Sequence, residues 1–334
     1  MKVLILQLDG KIPNLAIMRI AAHHRALGDE VEFRRVEHVS RVAPHLGDVF
    51  DRVYASAIFE KTRPVCLEVQ KQWPGAFLGG TGWSLHTTLE EFQITTQKLD
   101  WSLYPKYPHS IGFTQRGCRL KCEFCVVPQK EGKVKPTATI AEIWRGEPHP
   151  RNLVLLDNDF FGQPEWKARI QEIRDGQFNV SFNQGINARC LTDEAAEAIA
   201  SVSYSDDDFT TRRIYTAWDN RNDEDRLFAG LRRLVKYGVK PAHIMVYMLI
   251  GYWPGETHQD REYRRRRLRE FGCIPFPMAY RKTTELLQFQ RWVIRAWDKL
   301  LPWELWLERQ KDSRKVIELP SLEGFKREQL IQIT

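Results

Sequence analysis

Three cysteines crowd into eight residues near the middle of the chain. Cys118, Cys122 and Cys125 form the pattern C-x3-C-x2-C within the segment SIGFTQRGCRLKCEFCVVP. Thiolates are soft, anionic donors and are the usual protein ligands of iron–sulfur clusters. Gly117 gives the backbone freedom to turn just before the first thiol. Three protein ligands would leave one iron of a [4Fe–4S] cluster without a side chain, so that a small molecule could bind there.

Zinc is the alternative metal for such a motif. Structural zinc sites use four protein ligands, typically from paired C-x2-C units. The sequence has no second pair, and His109 could reach the site only from across a predicted strand. The other cysteines, Cys66, Cys190 and Cys273, stand alone, and an isolated cysteine is usually a small buried hydrophobic residue. The pattern therefore favours an iron–sulfur site in a reducing compartment.

With Phe124 before its last cysteine, this motif resembles that of the radical S-adenosylmethionine (SAM) superfamily. The resemblance covers Ile111 to Arg281. It implies that the open iron binds the methionine portion of SAM, and that one electron then cleaves the sulfonium bond to give methionine and a 5′-deoxyadenosyl radical. It also implies an electron donor of the flavodoxin or reductase type, because this reaction needs a strongly reducing cluster.

The resemblance also implies contacts to SAM at the ends of the later strands. The corresponding positions here are Asp157 and Asn158 for the methionine amino group, Gln184, Arg189 and Asp219 for ribose and carboxylate, and Phe124, Ile250 and Gly251 for adenine. The glycines that the family often has at the first of these positions are missing. Asp157, Asn158 and Asp219 have an alternative role, which is to cap the helices that follow them.

Strand and helix patterns alternate along most of the chain, which predicts βαβ units and parallel sheets. The predicted strands of the first hundred residues are Lys2–Leu8, Val31–Arg35, Arg52–Ser56 and Gly75–Gly80, with a helix at Leu15–Leu27. The predicted strands of the later series are Ser110–Thr114, Asn152–Leu156, Asn179–Phe182, Arg213–Ala217, Ile244–Ile250 and Pro275–Ala279. Thr192 with Asp193 is predicted to cap the start of a helix, and Gly272 is predicted to end one.

We therefore expect an α/β fold with four regions. Residues 1–98 are predicted to form a Rossmann-like parallel-sheet domain and residues 99–110 a linker. Residues 111–282 are predicted to form a partial (β/α)6 radical SAM barrel, and residues 283–334 a helical C-terminal extension that buries several tryptophans. In such barrels the chemistry lies at the C-terminal ends of the strands.

A Rossmann-like domain before a radical SAM barrel resembles the cobalamin-dependent subclass. Domains of that subclass often carry Asp-x-His-x-x-Gly after the first strand, whereas this chain has Asp9-Gly10-Lys11-Ile12-Pro13-Asn14, with lysine in place of the histidine. Ser56 and the pair Gly79-Gly80 match later cobalamin-binding positions. The resemblance leaves two alternatives: cobalamin bound without an axial histidine, or a domain that only shapes the substrate pocket.

The net charge of +7 permits an anionic partner without requiring one. Much of the excess lies in REYRRRRLRE, Arg261 to Glu270, where a solvated helix face is the first interpretation and a nucleic-acid contact the second. We find no signal peptide and no apolar run of the roughly 20 residues that a membrane helix needs. We therefore expect a cytoplasmic protein without a membrane partner.

Three functions follow from these patterns. The first is a radical SAM enzyme that abstracts hydrogen from an unidentified substrate and, if cobalamin is bound, methylates the resulting carbon as a transferase. The second is radical-based modification of tRNA or DNA. The third is a non-enzymatic iron–sulfur module that senses redox state or serves as a scaffold. One fold supports many chemistries, so the sequence does not identify the substrate.

Overall fold

The computed structural model describes residues 1–43 and 49–311, which fold into mixed α/β structure with parallel sheets. The chain divides into two compact units. The first comprises Met1–Gly112 with Leu120–Lys133 and Arg145–Pro150, and the second comprises Phe113–Arg119, Val134–Trp144 and the chain from Arg151 onward. None of the helices in the described part is both long and apolar enough to cross a membrane.

The first unit is built on a four-stranded parallel sheet. Its strands are β1 (Lys2–Gln7), β2 (Glu30–Arg35), β3 (Arg52–Ser56) and β4 (Phe77–Gly79), in the order β2-β1-β3-β4. Helices α1 (Leu15–Ala26) and α2 (Arg63–Gln72) follow β1 and β3 in the chain. The strand order reverses between β1 and β3, and open sheets of this kind bind ligands at such a point.

Strand β1 lies inside this sheet, and its four central side chains are apolar and buried. Leu4 and Leu6 pack into one hydrophobic cluster, and Val3 and Ile5 pack into another. Successive side chains of a strand point to opposite faces, so both faces of the sheet are covered. Helix α1 begins at Asn14, whose side-chain oxygen accepts the first backbone N–H groups of the helix.

The segment 99–110, predicted to be a linker, contributes to the core of the first unit. Leu103 and Tyr104 are buried in one of its hydrophobic clusters. The Tyr104 hydroxyl donates to Gln7 Oε1 at 2.8 Å, which ties this segment to the end of β1. Strand β5 (Ser110–Gly112), fully buried, follows directly.

The second unit contains two sets of parallel strands and one short antiparallel pair. Strands β6 (Gln115–Arg116) and β7 (Lys135–Pro136) are antiparallel. Strands β8 (Asn152–Leu155), β9 (Asn179–Phe182) and β10 (Ser203–Tyr204) pair side by side in parallel. Strands β11 (Ile214–Ala217), β12 (Ile244–Ile250) and β13 (Ile274–Ala279) form a second parallel set.

Helices connect these strands. After α3 (Val127–Lys130), which belongs to the first unit, they are α4 (Ile140–Ile143), α5 (Trp166–Asp175), α6 (Asp193–Ala200), α7 (Glu224–Lys236), α8 (His258–Phe271), α9 (Thr284–Ile294) and α10 (Trp303–Lys311). The predicted strands agree with the observed ones within two residues at either end. The predicted N-cap Thr192 accepts the Ala195 N–H, and Gly272 ends α8 with φ of 89°. Neither α2 nor β10 was predicted.

The C-terminal helices bury tryptophans, as the sequence predicts for the region 283–334. Trp292, Trp303 and Trp306 belong to the main hydrophobic cluster of the second unit, and the rings of Trp303 and Trp306 stack at 5.4 Å. These rings are therefore core and not an open platform for bases. Residues 312–334 of the predicted extension lie outside the described residues.

Candidate functional site

Two carboxylates from the segment after β8 hold the residues around Cys118. Asp157 accepts the Thr114 hydroxyl at 2.9 Å and the Gln115 backbone N–H at 2.5 Å. Asp159 accepts the Arg119 backbone N–H at 3.2 Å and forms an ion pair with the Arg119 guanidinium at 3.0 Å. Both ends of the segment that carries Cys118 are thus fixed by hydrogen bonds to buried side chains.

The same cluster contains buried polar atoms that have no hydrogen-bond partner among the described residues. Asp157, Asp159, Gln115 and Gln163 are each at most 3% exposed. The unpartnered atoms are Asp157 Oδ2, Asp159 Oδ1, Gln163 Oε1 and both amide atoms of Gln115. Gln163 itself donates to the Thr114 hydroxyl at 2.8 Å. Because burial of unpaired polar atoms is costly, so many together distinguish this cluster from ordinary core.

Burial also changes the acidity of the two carboxyl groups. It raises the pKa of Asp157 to about 7, against the lowering effect of the hydrogen bonds from Gln115 and Thr114. Burial likewise raises the pKa of Asp159, and the Arg119 guanidinium opposes that change. The dominant cause in both cases is the loss of water around the charged form.

The second part of the cysteine motif forms a turn followed by a short helix. The Cys125 backbone N–H donates to the Cys122 carbonyl at 3.0 Å, and α3 begins two residues later. At the end of α3 the Lys130 ammonium donates to the Thr81 hydroxyl. Cys122, Cys125 and Phe124 are half-buried, as is Cys118.

The cysteine motif fits a cluster by its donor chemistry. Three thiols within eight residues are soft donors of the kind that iron–sulfur clusters use. Within residues 1–43 and 49–311, no group of three or more His, Cys, Asp or Glu side chains is arranged so that it could hold a metal ion. The thiols are therefore candidate ligands by type and spacing along the chain.

The remaining cysteines differ from those of the motif. Cys66 and Cys273 are buried, as predicted, and burial raises the pKa of the Cys66 thiol to about 11 and that of Cys273 to about 12. Cys190 is half-buried, which is less than predicted.

The positions predicted to contact SAM have varied surroundings. Asp157 is buried, Asn158 is half-buried and Gln184 is exposed. Arg189 forms an ion pair with Asp223 at 2.6 Å, and Asp219 accepts the Leu249 N–H at 3.2 Å. Asp157 and Asp219 thus hold backbone of distant segments, so the alternative of helix capping is wrong for both of them.

The end of β12 has a backbone conformation that suits glycine. Ile250 is fully buried, and Gly251 has φ of 76°. A Cβ atom on Gly251 would lie 2.3 Å from Leu286 Cδ1. The Gly251 N–H donates to Glu256 Oε2 at 2.5 Å, so this turn is closed by a side chain from the following loop.

Glu256 belongs to a buried ion pair. Its carboxylate pairs with Arg264, and both side chains are at most 7% exposed. Arg264 also donates to the carbonyls of Trp218 at 2.9 Å and Leu249 at 3.0 Å. This arginine therefore ties together the ends of β11 and β12.

The arginine run of α8 is a solvated face only at Arg266 and, in part, at Arg267. Arg261 and Arg264 are buried, and Arg265 and Arg269 both pair with the fully buried Asp298. These four charges are used in ion pairs inside the second unit. A nucleic-acid contact receives no support from them.

Sequence reasoning missed several polar residues of the site. Gln115 and Gln163 carried no signal in the sequence, because an isolated glutamine is usually exposed. Asp159 lies two residues after Asp157 in the same strand-end segment, and this spacing was available as a signal. Asp207, which follows β10 in the chain, was also missed. Its carboxylate accepts a hydrogen bond from the Ser181 hydroxyl at 2.5 Å.

The positions predicted to hold cobalamin are engaged within the first unit. The Ser56 hydroxyl accepts from the Asn14 side-chain amide at 3.0 Å. The Gly79 carbonyl accepts the Ala57 N–H at 3.1 Å, and a Cβ atom on Gly80 would lie 2.2 Å from the Ala57 carbonyl oxygen. With Lys11 in place of a histidine, these residues do not fit a cobalamin site as they stand.

Comparison with known proteins gives no relative: no protein-family model matches the chain, and no curated protein matches it.

Proposed function

We propose that the chain is a radical SAM enzyme that carries a [4Fe–4S] cluster on Cys118, Cys122 and Cys125. The observation that carries this proposal is the C-x3-C-x2-C spacing of three half-buried thiols in a stretch of chain that follows the buried strand β5. Parallel α/β structure around the motif supports the proposal, since such folds place reactive groups at the ends of their strands.

The three cysteines would hold the cluster as thiolates. A cluster held there and reduced by an external flavodoxin or reductase would supply the electron for cleavage of SAM, which is the source of the hydrogen-abstracting radical in this class of enzyme. The chain itself binds and orients the reactants. Asn158, Gln184, Arg189 and Asp219 are the polar groups proposed to bind SAM.

The adenine of SAM is assigned to the end of β12, beside Ile250 and Gly251. Gly251 has no side chain at this point, and the Glu256–Arg264 pair holds its backbone in place. Asp157 is fully buried and bonded to Thr114 and Gln115, so its direct contact with SAM would require Oδ2, its unpartnered oxygen. No step is assigned to cobalamin, because Ser56, Gly79 and Gly80 are engaged elsewhere.

Anaerobic reconstitution with iron and sulfide tests the proposal. We expect about four irons per chain and formation of 5′-deoxyadenosine from SAM under a strong reductant. Cys118→Ala, Cys122→Ala and Cys125→Ala should each abolish SAM cleavage, while the matched control Cys190→Ala should retain it. Stoichiometric zinc, or SAM cleavage that survives all three motif substitutions, would contradict the proposal. A brown iron protein without SAM turnover would instead favour the redox-sensing or scaffold function.

A further inference from the structure

The two carboxylates after β8 bracket the residue that begins the cysteine motif. Asp157 accepts the N–H of Gln115, and Asp159 accepts the N–H of Arg119, so the anchored backbone positions lie three residues before and one residue after Cys118. We propose that Asp157 and Asp159 are positioning residues that hold the Cys118 thiol in place for metal binding. This inference rests on the proposed function. The role that it gives to the two carboxylates is to hold the backbone beside Cys118, which is separate from any contact with SAM.

Both anchors act on the backbone. Between them lies Gly117, with φ of 82°, a backbone conformation that glycine adopts more readily than residues with a side chain. Fixing the N–H groups on either side of a glycine removes most of the conformations that it could otherwise visit. The direction of the Cys118 side chain is thereby set by side chains from a distant part of the sequence.

Burying the carboxyl groups of Asp157 and Asp159 costs free energy that a contact with a purely structural role would not require. Asp157 and Asp159 are 3% and 1% exposed, and each keeps one oxygen without a partner among the described residues. Apolar residues of similar size would fill this space at a lower cost, because a buried carboxylate loses its hydration. What a carboxylate provides and an apolar residue does not is strong acceptance of the two backbone N–H groups beside the motif.

Thiol reactivity measures the position of Cys118 without any need for bound metal. The full-length chain, stripped of metal and kept without oxygen, is treated with iodoacetamide, and the rate at each cysteine is followed by mass spectrometry of peptides. In Asp157→Ala and Asp159→Ala we expect the rate at Cys118 to change by about tenfold, since each substitution removes hydrogen bonds to a carboxylate. The rates at Cys122 and Cys125 should change less than the rate at Cys118, because the N–H groups that the two carboxylates accept are those of Gln115 and Arg119.

Asparagine variants separate positioning from folding. Asp157→Asn and Asp159→Asn keep one oxygen that can accept the backbone N–H, so they should restore the rate at Cys118 towards that of the unaltered chain. Asp298→Ala is the matched control, because Asp298 is also a buried carboxylate but pairs with Arg265 and Arg269 in the C-terminal region. It should leave the ratio of Cys118 to Cys122 reactivity unchanged.

The outcomes distinguish this inference from the proposed function. A selective change at Cys118 that asparagine restores supports the inference even if the chain never binds iron. Unchanged reactivity at Cys118, or an equal change at all three cysteines, overturns it even if the chain cleaves SAM. If the alanine variants do not fold, the asparagine variants decide: the rate at Cys118 should remain near that of the unaltered chain, and a selective change at Cys118 in these variants would overturn the inference.

Discussion

Replacing Asp157 by asparagine should make the stability of the fold less dependent on pH. Burial raises the pKa of this carboxyl from 3.8 to about 7 in the native chain, whereas the unfolded chain has the ordinary value. The native state therefore holds the proton more tightly than the unfolded state does. The contribution of the Asp157 carboxyl group to the free energy of unfolding is therefore fully present below about pH 4 and is lost as the pH rises through about 7.

The expected size of this loss follows from the difference between the two pKa values. A change from 3.8 to about 7 is worth about 4 kcal/mol in total, at about 1.4 kcal/mol per pKa unit. Asparagine cannot ionise, and its oxygen can still accept from Thr114 and Gln115. Its amide would replace the unpartnered Oδ2 at a cost of about 1–3 kcal/mol that does not vary with pH.

Urea unfolding of the metal-free chain between pH 5 and 8 measures the effect. The stability of Asp157→Asn relative to the unaltered chain should rise from pH 5 to about pH 7 and level off above that, whatever its absolute value at pH 5. Asp193→Asn is the matched control, because the Lys236 ammonium lowers the pKa of this exposed carboxyl. The stabilising contribution of the Asp193 carboxylate depends on pH in the opposite direction: it is present at neutral pH and is lost only as the pH falls through that lowered pKa. A pH-independent difference between Asp157→Asn and the unaltered chain would refute the reasoning.

Three further predictions concern Glu256 and Gly251 after β12 and the buried thiol of Cys66. Glu256→Gln should lower the free energy of unfolding by about 3–5 kcal/mol, since it leaves the buried Arg264 charge unpaired, and replacing both residues by apolar ones should recover part of the loss in chemical denaturation. Gly251→Ala should cost more than about 1 kcal/mol, and in a Leu286→Ala background it should cost less only by the part due to the close contact, because the strain at positive φ remains. Cys66, with a pKa of about 11, should resist alkylation at pH 8 until urea unfolds the chain.

The sequence predicted most strands because their signal is local. Strand β12 alternates buried and half-buried residues along Ile244–Ile250, and its bounds agree with the prediction. Gly272 ends α8 as predicted, since a residue with positive φ after a helix is most often glycine. Helix α2 escaped prediction because the charged residues among its few apolar ones blur the helical period.

The site was less predictable because its contacts join distant segments. Asp157 bonds to Thr114, 43 residues earlier, and nothing in the local sequence distinguishes this role from helix capping. Arg264 lies in a run of arginines that is typical of a protein surface, yet its side chain is buried and paired with Glu256. The cysteine motif was found from sequence because its chemistry depends on spacing along the chain.

Mössbauer spectroscopy of the chain reconstituted with ⁵⁷Fe tests most directly whether one iron lacks a protein ligand. We expect a cluster whose irons divide in a ratio of about three to one, with SAM changing only the signal of the single iron. Cys190→Ala should give the same spectrum, and Cys118→Ala should not form this cluster. Four equivalent irons that do not respond to SAM, or a protein that binds zinc in their place, would contradict the proposed function.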